Sequence, residues 1–218
     1  MTQTLTDTRS PWRGRPYPHS SRLPTRSLTQ TESTETVIFR LLVRELLSVA
    51  RKDRAPLRKK IQQHLRTTRH AFVAINHLLF VCATTGPDGL DIAIDVLAEA
   101  GPALIDVARN YLQKDYPAWM NSQTPRATSD NIWYILLRAL CQSRADRIQK
   151  FGLVFTASLR GTESIREAAM HAFGDLAASD PLPHTKPDIA ALLHEVVKRD
   201  SSTAVRETAM EILSDLEG

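Results

Sequence analysis

The chain has 218 residues, of which 42% are hydrophobic and 24% are charged, an ordinary composition for a soluble protein. Its two cysteines, Cys82 and Cys141, stand in apolar stretches, so no disulfide framework is expected. The longest apolar run, residues 71–83, is too short for a membrane span, and the N-terminus lacks the pattern of a secretory signal. We therefore expect an intracellular, cytoplasmic protein.

Charge is distributed unevenly along the chain. Residues 1–70 contain 15 Lys or Arg against 5 Asp or Glu, whereas residues 71–218 contain 13 against 19. The basic third favours contact with an anionic partner, and the acidic remainder is a poor candidate for binding nucleic acid.

Residues 1–33 are rich in Ser, Thr, Arg and Pro and show no helical period. Such a segment cannot bury enough apolar area to offset its ordering entropy, so it is predicted to be a disordered basic tail. One patch within it combines aromatic and basic side chains in the manner of a short docking motif, with a solvated tail as the alternative. The patch contains Trp12, Arg13, Arg15 and Tyr17.

From Glu35 onward, the apolar residues recur at helical spacing, first to about Arg51. Pro56 then suits the first turn of a basic helix that ends near Thr67. Residues 71–83 are apolar nearly all round, which predicts a helix buried between its neighbours. A breaker at 84–89 precedes two helices at about 90–100 and 103–112.

The helix that begins near Pro56 belongs to a cluster of cations. Exposed, clustered cations are what a protein needs to neutralise phosphates. A solvated face or a contact with the acidic partner of a complex is the favoured alternative, and the polar cap that a solenoid end requires is a further one. The cluster lacks an aromatic residue, so base stacking is unsupported. Its members are Arg51, Lys52, Arg54, Arg58, Lys59, Lys60, Arg66 and Arg69.

Residues 116–130 hold two prolines and little period, which predicts an irregular connection. Ser129 or Asp130 is expected to cap the helix that follows. Four further helices are predicted at about 145–159, 163–178, 187–199 and 203–217, and no strand pattern is found.

The strongest feature is an internal repeat with a period of 40 residues. Between stretches 166–177 and 206–217, six of twelve positions are identical. Small residues such as Ala169 and Ala209 would let neighbouring helices approach closely. Each unit is then two antiparallel helices that bury their apolar face only by stacking on the next unit.

The sequence LLHEVVKRDSS at 192–202, followed by VRETA at 205–209, resembles the HEAT repeat. The resemblance is clear over about residues 146–217. It implies an all-α fold, a right-handed α-α superhelix (solenoid) of antiparallel helix pairs, over residues 34–218 behind the tail. It also implies that Asp200 and Arg206 hydrogen-bond in the turn, while Arg160 takes the place of Asp200 in the earlier copy.

No phosphate loop, nucleophile elbow or metal-ligand spacing is present in the sequence, so no catalytic residue, cofactor or metal is expected. Residues 129–133 resemble a segment of HEAT-like DNA glycosylases, which remove alkylated bases in an aromatic-lined groove that holds a carboxylate. By that resemblance the candidates are Trp119, Trp133, Tyr134, Asp130 and Asp115.

Two functions follow as hypotheses. The first is a non-catalytic scaffold that binds a protein or peptide partner through its helical surface and its basic N-terminal region. The second is a nucleic-acid-binding protein, with DNA alkylation-repair glycosylase activity as one form, that uses residues 51–69.

Overall fold

The computed structural model describes residues 34–114, 126–179 and 185–218, and within these ranges the chain is helical without a strand. The all-α expectation is therefore confirmed. Two short 3-10 turns, Arg51–Asp53 and Ala98–Ala100, supplement the α-helices. The helices are α1 Thr34–Ser48, α2 Ala55–Thr67, α3 Ala71–Ala83, α4 Pro87–Leu97, α5 Pro102–Lys114, α6 Arg126–Gln142, α7 Arg147–Arg160, α8 Glu163–Ser179, α9 Thr185–Arg199 and α10 Thr203–Glu217.

Local chemistry explains most helix boundaries. Pro56 and Pro87 lie in the first turns of α2 and α4, where a missing N–H costs nothing. Asp146 accepts a hydrogen bond from the N–H of Gln149 at 2.9 Å and so caps α7. Gly86 separates α3 from α4. Its φ of 88° is a backbone conformation that glycine adopts readily.

The helices pack in two rows. In the even row, α2 contacts α4, α4 contacts α6, α6 contacts α8, and α8 contacts α10. In the odd row, α1 contacts α3, α3 contacts α5, and α5 contacts α7. Consecutive helices pair across the rows, for example α7 with α8 and α9 with α10, and the apolar core lies between the rows.

The 40-residue period extends through the even row. Gly89, Ser129, Ala169 and Ala209 stand 40 residues apart on α4, α6, α8 and α10, and all four are small and buried. A Cβ at Gly89 would lie 2.7 Å from the carbonyl oxygen of Cys82, so the α3–α4 turn has room for no side chain there. The small residues hold one register, which lets adjacent helices of the row approach closely.

Two expectations about individual elements are wrong. Ser129 and Asp130 do not cap α6, because that helix begins at Arg126 and Ser129 is buried within it. Helix α3 is not enclosed on all sides, since Phe72, Val73 and Phe80 on one of its faces are exposed. The sequence pattern could not show this, because burial of an all-apolar helix depends on how many neighbours the fold provides.

Candidate functional site

An open groove of about 400 Å³ crosses α4, α6 and α8. Asp91, Asn131 and His171 each contribute from one helix to its lining. These three residues stand 40 apart, so they occupy the same position of the repeat. The groove therefore runs across the helices of the even row rather than along one of them.

The groove is lined by three carboxylates. Asp91 is exposed, whereas Asp130 and Glu167 are half-buried. Burial and the nearby Arg138 lower the pKa of His171, so its imidazole is neutral at pH 7. Neither Lys nor Arg lines the groove among the described residues, and its net charge is negative.

One aromatic side chain in the lining, Tyr134, is held rigidly. The Arg138 guanidinium donates to the Tyr134 hydroxyl at 2.7 Å, and its central carbon lies 5.4 Å from the ring centroid. Asp175 accepts two further bonds from Arg138, at 2.6 and 2.7 Å. The Tyr134 ring meets His171 edge to face, with 5.5 Å between centroids, so the ring contacts both Arg138 of α6 and His171 of α8.

A second Arg–Asp pair with the same connectivity occurs 80 residues earlier, which is two periods. Arg58 of α2 bonds to the carboxylate of Asp95 on α4, and the Gln62 amide donates to the Asp95 carbonyl at 3.4 Å. In the later copy, Gln142 donates at 3.4 Å to the carboxylate of Asp175. The period seen in 166–217 thus extends back to α2, a part of the chain where the sequence alone offered only helical spacing.

The hydrogen bond expected between Asp200 and Arg206 in the turn differs in detail. Arg206 donates to the backbone carbonyl of Asp200 at 2.7 Å, not to its carboxylate. The carboxylate instead accepts two bonds, at 2.8 and 2.9 Å, from Arg166 of the preceding unit. Arg166 also donates to the Gly161 carbonyl at 3.1 Å, one residue later in the turn than the position that aligns with Asp200. The side chain of Arg160 lies outside the part of the chain that the structure describes.

The predicted basic cluster divides into two groups. Arg54, Arg58 and Arg66 face acidic side chains of the next helix pair: Arg54 lies 3.8 Å from Asp88, while Arg58 and Arg66 bond to Asp95 and Glu99. These three stabilise the packing of α2 and are not available as a free cationic surface. The other five are exposed and have no acidic partner among the described residues: Arg51, Lys52, Lys59, Lys60 and Arg69.

The residues implied by the glycosylase resemblance do not converge in the part of the chain that is described. Trp133 is only 2% exposed and packs edge to face on Tyr111, so it is a core residue. Asp130 and Tyr134 do lie together in the groove. Asp115 and Trp119, like the tail residues Trp12, Arg13, Arg15 and Tyr17, lie outside the described residues.

Sequence reasoning missed this groove, although a signal was present. Writing the chain in rows of 40 places Asp91, Asn131 and His171 in one column, two columns after the small residues that include Gly89. This column is hard to recognise in the sequence because identity between repeats is high only in the last two units.

Among the described residues, no group of three or more His, Cys, Asp or Glu side chains is arranged to hold a metal ion. None of the described helices is long and apolar enough to cross a membrane. Comparison of the chain with protein-family models, curated proteins and solved structures gave no match.

Proposed function

We propose that this chain is a HEAT-type α-solenoid that acts as a non-catalytic scaffold and binds a cationic segment of a partner protein in the groove across α4, α6 and α8. The observation on which the proposal rests is the groove itself, an open cleft lined by three carboxylates, a tyrosine and neither Lys nor Arg of the described chain.

The solenoid part of the proposal is supported by the register of the even row. Buried small residues recur every 40 residues on four successive helices, and each of these helices contacts the next. Repeat proteins bury a continuous core in this way, each unit contacting only its neighbours. A right-handed superhelix is the form such stacking of antiparallel pairs is expected to take.

The partner class follows from the charge and shape of the groove. Asp91, Asp130 and Glu167 repel a polyanion and attract Lys or Arg side chains. Tyr134, which also lines the groove, adds apolar surface against which the aliphatic part of such a side chain can pack. Because the groove crosses helices in line with the repeat, an extended peptide can contact several units at once.

Fluorescence anisotropy with a labelled Arg/Gly peptide tests the proposal on the full chain. We expect binding at low salt that weakens as ionic strength rises, since the carboxylates are solvent-accessible. The variant Glu167→Gln removes a half-buried groove charge and is expected to weaken binding about 3- to 10-fold, by analogy with truncated interfacial charges.

Asp106→Asn is the matched control, because Asp106 is an exposed carboxylate of α5 outside the groove. Unchanged affinity in this variant, beside a loss in Glu167→Gln, supports the groove. Absence of binding at low salt, or equal losses in both variants, contradicts the proposal.

A second candidate function, binding of nucleic acid, is favoured by the five exposed cations Arg51, Lys52, Lys59, Lys60 and Arg69. An electrophoretic shift assay with DNA and RNA at low salt tests it, with Lys59→Gln/Lys60→Gln against Lys186→Gln on α9. The double variant should reduce retention for all sequences alike, because phosphate contacts are indifferent to sequence. No retention of either nucleic acid rules this function out.

A further inference from the structure

A second surface, independent of the groove, lies on α7 in the odd row. Ile148, Phe155 and Leu159 are 81%, 38% and 65% exposed. With Gly152 they follow the spacing i, i+4, i+7 and i+11, which places all four on one face of the helix. We call these four residues the α7 stripe.

The odd row is open beside this stripe. Helix α5 contacts α7, but no comparable contact joins α7 to α9 in the described residues. A groove of about 530 Å³ lies there instead, with Phe155 and Leu159 on one side and Leu192 and Val196 on the other. Its apolar lining is therefore unfilled by the described part of the fold.

No contact among the described residues of one chain accounts for a glycine at position 152. It lies inside α7, where glycine is less favourable than alanine, and a Cβ built on it would have no neighbour within 4 Å. A missing side chain is useful where another backbone or a bulky side chain must approach closely. Nothing in the described residues makes that approach.

The α7 stripe is self-complementary. About the midpoint between Leu153 and Val154, Ile148 and Leu159 are placed symmetrically, and so are Gly152 and Phe155. Two antiparallel copies of α7 related by a twofold axis would therefore set Ile148 against Leu159. They would also set the Phe155 ring of each copy over Gly152 of the other. A large side chain would then lie opposite a missing one at two symmetric positions.

The rim of the groove does not oppose this pairing. On α9, Arg199 lies 3.0 Å from Glu195, and Lys198 lies 3.7 Å from the same carboxylate. Glu195 offsets one of the two positive charges, and the remaining charge is solvent-exposed and screened by salt, so like-charge repulsion between two copies is modest.

We propose that the chain forms a twofold homodimer through the α7 stripe, with Phe155 of each copy seated over Gly152 of the other. The occupant of this surface is a second copy, because antiparallel pairing of the stripe with itself places the large Phe155 opposite the missing side chain of Gly152 at two symmetric positions. The interface is small, so the dimer dissociates on dilution.

Sedimentation equilibrium of the full chain over a range of concentrations tests this proposal. We expect a mass that approaches twice 24.4 kDa as concentration rises. Gly152→Leu fills the notch from a Cβ position that has no neighbour within 4 Å in its own chain, and Leu159→Glu places a charge at the contact with Ile148. Each variant should weaken dimerisation about tenfold or more while circular dichroism stays helical.

Met210→Glu is the control, because Met210 is an exposed apolar residue on α10, away from the stripe. It should dimerise as the unaltered chain does. If the unaltered chain stays monomeric at high concentration, the proposal is overturned, even where α7 is found to capture a foreign peptide. A dimer that survives both stripe variants, or that Met210→Glu disrupts equally, overturns it as well.

Discussion

Both ends of the helical array carry Arg–carboxylate pairs between neighbouring elements, but these pairs differ in solvent exposure. From α6 toward the C-terminus, Arg138 and Arg166 each make two hydrogen bonds to one carboxylate of a neighbouring element, and the side chains of these pairs are 12–27% exposed. Near the N-terminus, Arg66 reaches Glu99 by one bond, and its side chain is 53% exposed. Bidentate, desolvated pairs fix geometry, whereas exposed pairs contribute little to stability.

The repeat is visible in the sequence at one end only, where stretches 166–177 and 206–217 share six of twelve aligned positions. Where the pair is solvated, as in α2 and α4, the same connectivity is reached with few identical residues. The period then persists in spatial position rather than in sequence.

Helix α6 joins the two ends, and the largest expected effect comes from weakening it. Leu136 is fully buried, and α6 contacts α3, α4 and α5 as well as α7 and α8. Leu136→Ala should lower the free energy of unfolding by about 2–5 kcal/mol, through lost apolar burial and the cavity left behind. Urea denaturation followed by circular dichroism measures this.

If the two ends were independent, Leu136→Ala would split the urea transition in two. We expect one transition, because nearest-neighbour contacts through α6 couple the units. The comparable substitution Leu193→Ala in α9 is the control, since α9 lies at the end of the array and contacts only α8 and α10 strongly.

The next effect compares the two kinds of pair directly. Asp175→Asn removes the charge that satisfies the half-buried Arg138 and should cost about 1–3 kcal/mol of unfolding free energy. Arg66→Gln at the exposed pair should cost less than about 1 kcal/mol. Equal costs in urea denaturation would mean that burial does not distinguish the two ends.

Much of the fold was predictable from the sequence, since helical periods, prolines and small residues are local signals. The bounds of α3 were predicted residue for residue, and those of α10 likewise. The start of α6 was not, because buried Ser129 looks like a cap when its tertiary neighbours are unknown. Propensity identifies a residue type that suits a cap, but it cannot show whether the helix has already begun.

The candidate sites were less predictable for the same reason. The eight cations form one cluster in sequence, yet whether each is free depends on acids about 35 residues away, such as Asp95 and Glu99. The acidic groove gathers Asp91, Asp130 and Glu167 from three helices. Only the 40-residue register, applied to the whole chain, brings such positions together.

The smallest expected effect is a pH dependence at the C-terminal pair. Hydrogen bonds from Arg166, with a further one from the N–H of Ser202, hold the pKa of Asp200 below its ordinary value of 3.8. A carboxyl whose pKa is depressed on folding stabilises the folded state at pH values above its unfolded pKa. That contribution is lost as pH falls through the folded pKa.

Asp200→Asn should therefore lower the free energy of unfolding by a constant amount between neutral pH and about pH 5, and by progressively less below about pH 4. Urea titrations of both chains at several pH values measure the difference. A difference that stays constant to low pH would show that Asp200 contributes through the shape of its side chain rather than its charge. The buried bidentate pair would then be a packing contact, and the contrast with the solvated N-terminal pairs would rest on Arg138 and Asp175 alone.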